Sequence, residues 1–336
     1  MPLHDVNGQA HAVGTLLRAL GSGRLHHAYL FAGPDGVGKT LTARAMAAAL
    51  LCHAPTPDAC GRCSACHRVA ESAHPDLHIL KRREKESGAD GALEQQIKIE
   101  QVRELQQALS YKAFEGKRRS VLILDAERMN AATSNALLKT LEEPGPDTHF
   151  ALVSSAPHLL LPTILSRCQR VRFQPLERSV VAEALSARTG LDLAAADLLA
   201  GLAEGSIGRG LQLAESSLLA EREQLIARAD DSDGRKHVPQ LLDLAEELAN
   251  RKNDLPLFFQ ILRTWYRDLL LLHAGVVPEK LVHRDQLERL RTRAAALTQE
   301  DVLQRLERIQ TTERALEGAA NARLSLETLL LRLAES

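Results

Sequence analysis

Two short stretches of this chain hold residues whose types and spacing can do chemistry. Gly33-Pro34-Asp35-Gly36-Val37-Gly38-Lys39-Thr40 fits G-x-x-x-x-G-K-[ST], the loop whose backbone N–H groups turn inward around a polyphosphate. In such a loop Lys39 neutralises the β- and γ-phosphates and the Thr40 hydroxyl holds Mg²⁺, so the stretch predicts binding of ATP with Mg²⁺. The second stretch is Cys52, Cys60, Cys63 and Cys66, spaced Cys-x7-Cys-x2-Cys-x2-Cys. Four thiolates this close in sequence can close a tetrahedron on Zn²⁺. They fill its coordination sphere and leave no open position, so the expected zinc is structural, and His53 and His67 are expected at the surface.

A third position follows from the first. Ser120 to Leu124 is an apolar run of strand length that ends in Asp125, and after a phosphate loop such a carboxylate can hold Mg²⁺ through water. An ATPase of this kind has a glutamate next, to activate the attacking water; here the residue is Ala126. Glu127 comes one position later, and on an extended chain one step sends the side chain to the opposite face. The expectation is ATP binding with little or no independent hydrolysis.

The elements that position these groups can be read from periodicity. Ala28 to Ala32 is an apolar run before the phosphate loop, and Leu41 to Leu51 behind it is Ala-rich and free of glycine, as a helix should be. A helix pattern through Val13, Leu16, Leu17 and Leu20 precedes them and ends at Gly21-Ser22-Gly23. Leu77 to Leu80 reads as a short strand and Lys81 to Gly91 as a charged loop. Ile99, Val102, Leu105 and Leu109 fall on one helical face. Ser134 to Glu143 reads as a helix stopped by Pro144-Gly145-Pro146, Phe150 to Val153 as a strand ending in Ser154-Ser155, Leu159 to Ser166 as a helical segment, and Arg170 to Phe173 as a strand. Strands alternating with helices over residues 1–173 predict a parallel sheet covered on both faces. Beyond Pro175 the pattern is helices alone: a three-helix unit over 174–216 (Glu177 to Ala187, Asp192 to Ala203, Ile207 to Leu219), then longer helices over 217–336 with breaks at Asp230 to Gly234 and at Val276-Val277-Pro278.

Composition excludes several classes. Forty-two Lys and Arg against forty-three Asp and Glu leave a formal charge of −1, which argues against a protein that wraps nucleic acid by charge alone. Six Phe, three Tyr and one Trp are few for a surface that stacks single-stranded bases. The N-terminus has no signal pattern. The most apolar long run, Leu255 to Ala274, contains Arg263, Arg267 and Asp268, which suits an amphipathic helix better than a membrane span. A cytoplasmic protein with no membrane partner is expected, a compartment in which clustered cysteines bind metal more often than they pair.

Several further runs carry a resemblance. His26-His27-Ala28-Tyr29-Leu30-Phe31, the phosphate loop, the four-Cys insertion at 52–66, Asn135-Ala136-Leu137-Leu138-Lys139-Thr140-Leu141-Glu142-Glu143-Pro144 and Leu161-Pro162-Thr163-Ile164-Leu165-Ser166-Arg167-Cys168 resemble the bacterial DNA polymerase III clamp-loader subunits. The likeness is dense over the first 175 residues, and thereafter holds only in length and arrangement. It implies an α/β AAA+ phosphate-loop core with a parallel sheet, a small helical lid and an all-α C-terminal oligomerisation domain. Of the two branches, Ala126 and an end at Ser336 favour the delta-prime type over the ATPase gamma/tau type, although delta-prime proteins often have a degraded phosphate loop and this one is intact. The resemblance further implies a hetero-pentamer with gamma/tau and delta subunits that opens the sliding clamp and places it on primed DNA. By the same likeness Arg167 is an arginine finger that reaches the ATP site of the adjacent subunit, Ser154 or Ser155 contacts the γ-phosphate region, and Val6 lines the adenine pocket. In Gly205-Ser206-Ile207-Gly208-Arg209 the place of a nucleotide-sensing arginine falls on Gly208, with Arg209 displaced by one. Nothing in the chain is read as a polymerase site.

Overall fold

A computed structural model of the chain describes residues 1–54, 56–84, 93–115, 118–216, 221–230, 238–318 and 320–334, apart from the side chains of Lys252 and Glu317. It divides into two compact units, Met1–Val180 with Gly205–Gly208, and Val181–Glu204 with Arg209–Ser336. Parts of the expected loop at 81–91, of the break at 230–234 and the end of the helix expected to reach Leu219 lie outside the described residues.

The first unit is built on a five-stranded parallel sheet in the order β2-β3-β4-β1-β5. Its strands are β1 (Ala28–Ala32), β2 (Leu77–Leu80), β3 (Arg119–Ile123), β4 (Thr148–Ser154) and β5 (Gln169–Arg172). Every residue of β1 and β3 is buried, as a parallel strand covered on both faces requires. Because side chains alternate along a strand, β1 feeds two cores. Tyr29 and Phe31 join the side covered by α1 (Ala10–Ser22), α2 (Lys39–Leu51) and α3 (Ser64–Ala70). Ala28, Leu30 and Ala32 join the side covered by α4 (Ile99–Ser110), α5 (Ala131–Glu142) and α6 (Pro162–Leu165). Parallel strands bring their carboxyl ends to one rim, where loops are free to hold a ligand. That rim carries the phosphate loop after β1, Asp125 after β3 and Ser155 after β4. This is an α/β core on a parallel sheet, as the alternation of strands and helices implies, and beyond it the described elements are all helices.

Helix α2 explains how the loop is anchored. Ten of its thirteen residues are buried, so it is a core helix and not a surface one. The helical segment expected over 159–166 is shorter than its pattern suggests: a 3₁₀ turn at Pro157–Leu159 and one helical turn at Pro162–Leu165. Leu161 precedes a proline, which disfavours helical backbone at that residue.

Helix α7 (Arg178–Thr189) leads out of the first unit, and α9 (Ile207–Ala214) begins on it. The second unit contains α8 (Leu193–Leu202), α10 (Arg222–Ala229), α11 (Val238–Asn250), α12 (Leu255–His273), α13 (Leu287–Ala296), α14 (Gln299–Glu317) and α15 (Ala322–Ala334). Helix α12 carries buried polar groups that find partners within this unit. Asp268, fully buried, accepts the backbone N–H groups of Val282 and His283 at 2.7 and 2.8 Å. Trp265 and Tyr266 both donate to Asp230 at 2.8 Å, and Arg293 joins them at 2.9 Å. Among the described residues no helix is long and apolar enough to cross a membrane.

Candidate functional site

The phosphate loop leaves β1 through glycines that nothing larger can replace. A Cβ on Gly33 would lie 2.3 Å from the Phe173 carbonyl oxygen, and the Gly33 N–H donates to the Ser154 carbonyl at 3.3 Å, which ties the loop to the end of β4. Gly36 and Gly38 take φ of +70° and +101°, backbone that glycine adopts without a steric penalty. Val37 is buried between them, and Gly38 precedes the first turn of α2. Lys39 is 5% exposed. Its ammonium donates to the carbonyls of Gly33 (2.7 Å) and Pro34 and lies 3.6 Å from the Asp35 carboxylate. Burial lowers the Lys39 pKa against the opposing pull of Asp35, Glu127 and Asp125. The cation is thus folded onto its own loop. A phosphate entering the cradle competes for a donor that is already in place, and Thr40, exposed at the start of α2, is open to a metal ion.

The loop is also braced from outside. Gln9 donates to the carbonyls of Val37 (3.1 Å) and Gln174 (2.7 Å). Gly208 donates its N–H to the Gly36 carbonyl at 3.1 Å, and a Cβ on Gly208 would meet the Gly36 Cα at 3.0 Å. Position 208 is therefore pressed against the phosphate loop as backbone, where a side chain would have to displace it. Arg209, one step on, is held by Gln260 at 2.7 Å and Glu204 at 3.4 Å.

Beyond β3 the structure departs from expectation. Asp125 adopts left-handed backbone (φ 51°, ψ 49°) and residues 126–128 form a 3₁₀ turn. The chain is not extended there, so the reading that Glu127 points to the opposite face does not hold. Ala126 is fully buried in the core, while the Glu127 Oε1 accepts the Ser155 N–H at 3.1 Å and the Ser155 hydroxyl at 2.6 Å. Burial works to raise the Glu127 pKa, but the Ser155 bonds and its other donors outweigh it, and the group is held below its usual value. A carboxylate is therefore present at the rim, two residues after Asp125 instead of one. Asp125 itself is engaged by Arg82, whose Nη2 and Nε lie 3.0 and 3.2 Å from Oδ2. Nothing in the spacing of Arg82, at the end of β2, signalled that pairing.

The cysteine centre is local. The sulfurs of Cys52, Cys60, Cys63 and Cys66 all lie within 4.8 Å of one another, with Cys52 to Cys63 at 3.9 Å and Cys60 to Cys66 at 4.0 Å. Four thiolates bound to zinc at about 2.3 Å stand about 3.8 Å apart, so the donor set fits that ion. Backbone N–H groups of Ala54 and Cys60 point at the Cys52 sulfur and that of Cys66 at the Cys63 sulfur, each at 3.4 Å, an arrangement that favours thiolates. Burial pushes Cys63 up, yet the N–H donors of His53 and Cys66 and the neighbouring thiols bring it down to about 6. His53 and His67 are exposed, and neither belongs to the cluster.

Residues 8–177 match the sequence family described as "DNA polymerase III, delta subunit", and residues 216–335 match its C-terminal counterpart. The DNA polymerase III subunit delta' of Pseudomonas aeruginosa is 36% identical over 263 residues, 77% of this chain and 74% of that protein. The chain belongs to the DNA polymerase III delta-prime subunit family. The delta' subunit of Bacillus subtilis aligns over 97% of this chain and 96% of its own at 29% identity. The tau subunit of Escherichia coli is 33% identical over 231 residues, but this chain spans only 34% of it.

Within the delta-prime family frame the remaining candidates can be placed. Arg167 follows α6 and is partly exposed; it donates to the Thr163 carbonyl at 2.8 Å and pairs with Glu142. A pair this open to solvent is worth about 0–1 kcal/mol, so it does not tie the guanidinium down. Val6 is buried against the face of the sheet that carries α2. Of the two serines, Ser155 bonds Glu127 through both its N–H and its hydroxyl, and Ser154 is fully buried beside it.

Proposed function

We propose that this chain is the delta-prime subunit of a clamp loader, assembled with gamma/tau and delta subunits into a hetero-pentamer that loads the sliding clamp onto primed DNA in an ATP-dependent cycle. The family assignment along both parts of the chain carries this reading. What supports its role within the assembly is Arg167: a partly exposed guanidinium in the Ser-Arg-Cys turn, whose partners are the Thr163 carbonyl and the solvent-exposed Glu142 carboxylate, can exchange them for a neighbour's γ-phosphate. The bond to Glu142 is exchanged for a stronger one to phosphate. In the reconstituted loader, Arg167→Ala leaves assembly intact and slows ATP hydrolysis at the adjoining site by about 10³- to 10⁵-fold. Undiminished turnover would remove the finger from the account.

The chain's own phosphate loop binds ATP with Mg²⁺ in this proposal. Its glycines meet the backbone demands of a cradle, Lys39 is in place, and the four-cysteine centre holds structural zinc. Independent hydrolysis is not expected, because Ala126, the residue after Asp125, is buried in the core and the Glu127 carboxylate is engaged by Ser155. A gamma-type ATPase is the second reading, favoured by the intact loop. The two are told apart by turnover of the purified chain, which is brisk only for the gamma type.

A further inference from the structure

Strand β5 ends its sheet, with β1 on one side and no strand on the other. Successive residues of such a strand turn their backbone groups alternately toward the neighbour and toward the open side. The Phe173 N–H bonds the Ala32 carbonyl of β1 at 2.8 Å, so Val171 also turns inward, while Arg170, Arg172 and Gln174 turn outward. Gln174 is already met. The Gln9 side chain accepts the Gln174 N–H at 3.3 Å and donates to its carbonyl at 2.7 Å, as a residue of a sixth strand would. At Arg170 and Arg172 the outward N–H and carbonyl groups have no hydrogen-bond partner among the described residues. Their side chains are open too. Both are exposed, and neither guanidinium has an ion-pair partner among the described residues. Val171 between them is buried in the core beneath α1 and α2, so the two arginines stand together on the opposite face of the strand. Along this edge lies a groove of about 850 Å³, lined also by His11 and Thr15 of α1 and by Pro175 and Val180.

We propose that the free edge of β5 docks an extended acidic segment of a partner protein, which joins the sheet as a sixth strand with carboxylates facing Arg170 and Arg172. An added strand supplies donors and acceptors to the open backbone groups, and its residues opposite the arginines stand about 5 Å away on the same face, where opposite charges attract. A nucleic-acid backbone answers only half of this. Its phosphates would pair with the guanidiniums, but they bring no donor for the outward carbonyls. The intervening side chains of the added strand fall on the Val171 face, which suits apolar residues. Gln9 sets where that strand ends, because its amide holds the next position in the row.

Fluorescence anisotropy of a labelled Glu-Val-Glu-Val-Glu-Val peptide, titrated with the purified full chain, tests the proposal. The wild-type chain binds it saturably with a dissociation constant below about 1 mM. Reversing both charges, Arg170→Glu with Arg172→Glu, weakens binding by about tenfold or more and leaves the thermal midpoint unchanged, since both side chains are exposed. The backbone contribution is read on the peptide. N-methyl groups on one alternate set of residues face β5 and abolish binding; on the other set they face away and leave it. Equal effects of the two sets would mean attraction by charge without strand addition, which overturns the proposal. So would a labelled oligothymidylate that binds more tightly than the peptide and is lost in the same double variant, since the arginines would then be a phosphate site. No saturable peptide binding by the wild-type chain leaves the arginines as guards against chance edge pairing and also overturns it.

Discussion

The cysteine centre and the nucleotide rim are two sites on one unit that the fold builds in opposite ways. All four sulfurs come from residues 52–66, and turns within that stretch bring them together with their N–H donors. The nucleotide rim gathers groups from the ends of β1, β3 and β4, and each of its charged groups already has a partner: Lys39 on its own loop, Asp125 on Arg82, Glu127 on Ser155. A local site is complete once its ligand arrives. A site drawn from distant segments must give up protein contacts to accept one. That contrast fits the proposal of a structural metal beside an exchangeable nucleotide.

The comparison can be broken most sharply at the cysteines. Structural zinc contributes on the order of 10 kcal/mol of binding free energy to the fold around it, so the wild-type chain should carry one equivalent of metal, and Cys63→Ser should lose it and lower the thermal midpoint of the first unit. Metal analysis with calorimetry checks this, and a Cys63→Ser chain that keeps its metal defeats the four-thiolate centre. Lys39→Ala comes next. It removes the one buried cation of the cradle and weakens MgATP binding by about a hundredfold, with the zinc content unchanged. If zinc were lost as well, the two sites would not be independent.

Arg82→Ala sharpens the contrast from the other side. The Arg82–Asp125 pair is partly exposed and worth about 1 kcal/mol or less. Freeing Asp125 should lower the Mg²⁺ concentration that half-saturates nucleotide binding by up to about fivefold, read by titrating Mg²⁺ at fixed ATP analogue. A rise instead would show that Arg82 itself contacts phosphate. The smallest effect is expected from Gly208→Ala. Its new Cβ would press on the Gly36 Cα at 3.0 Å, a contact that a shift of a few tenths of an ångström relieves, so nucleotide affinity changes by about threefold or less. A much larger change would mean that the backbone contact at Gly36 controls entry to the cradle.

Much of this arrangement was legible in the chain itself. The phosphate loop, the cysteine centre and the alternation of strands and helices depend on contacts within a few residues or on simple periodicity, and the structure places each where the spacing implies. Helix boundaries moved where proline intervened, as at Leu161, or where the pattern ran past the real end, as in α9, which stops at Ala214. The misjudged residue was Glu127. Its direction was argued from an extended strand, and the strand had already ended at Ile123.

What the sequence determined by itself is an inventory: which groups exist, and which of them are joined by a stretch too short to separate them. That is enough for four cysteines within fifteen residues and for a glycine-rich turn before a helix. Tertiary structure decided which groups face each other across the rim. Arg82 meets Asp125 and Glu127 meets Ser155 over separations of 43 and 28 residues, and Gly208 reaches Gly36 from a helix after the sheet is finished. The first two meetings are set by strand order and by the left-handed backbone at 125, the third by where α9 begins. None of these leaves a pattern in the spacing, because a backbone dihedral changes where a side chain points without changing its place in the chain.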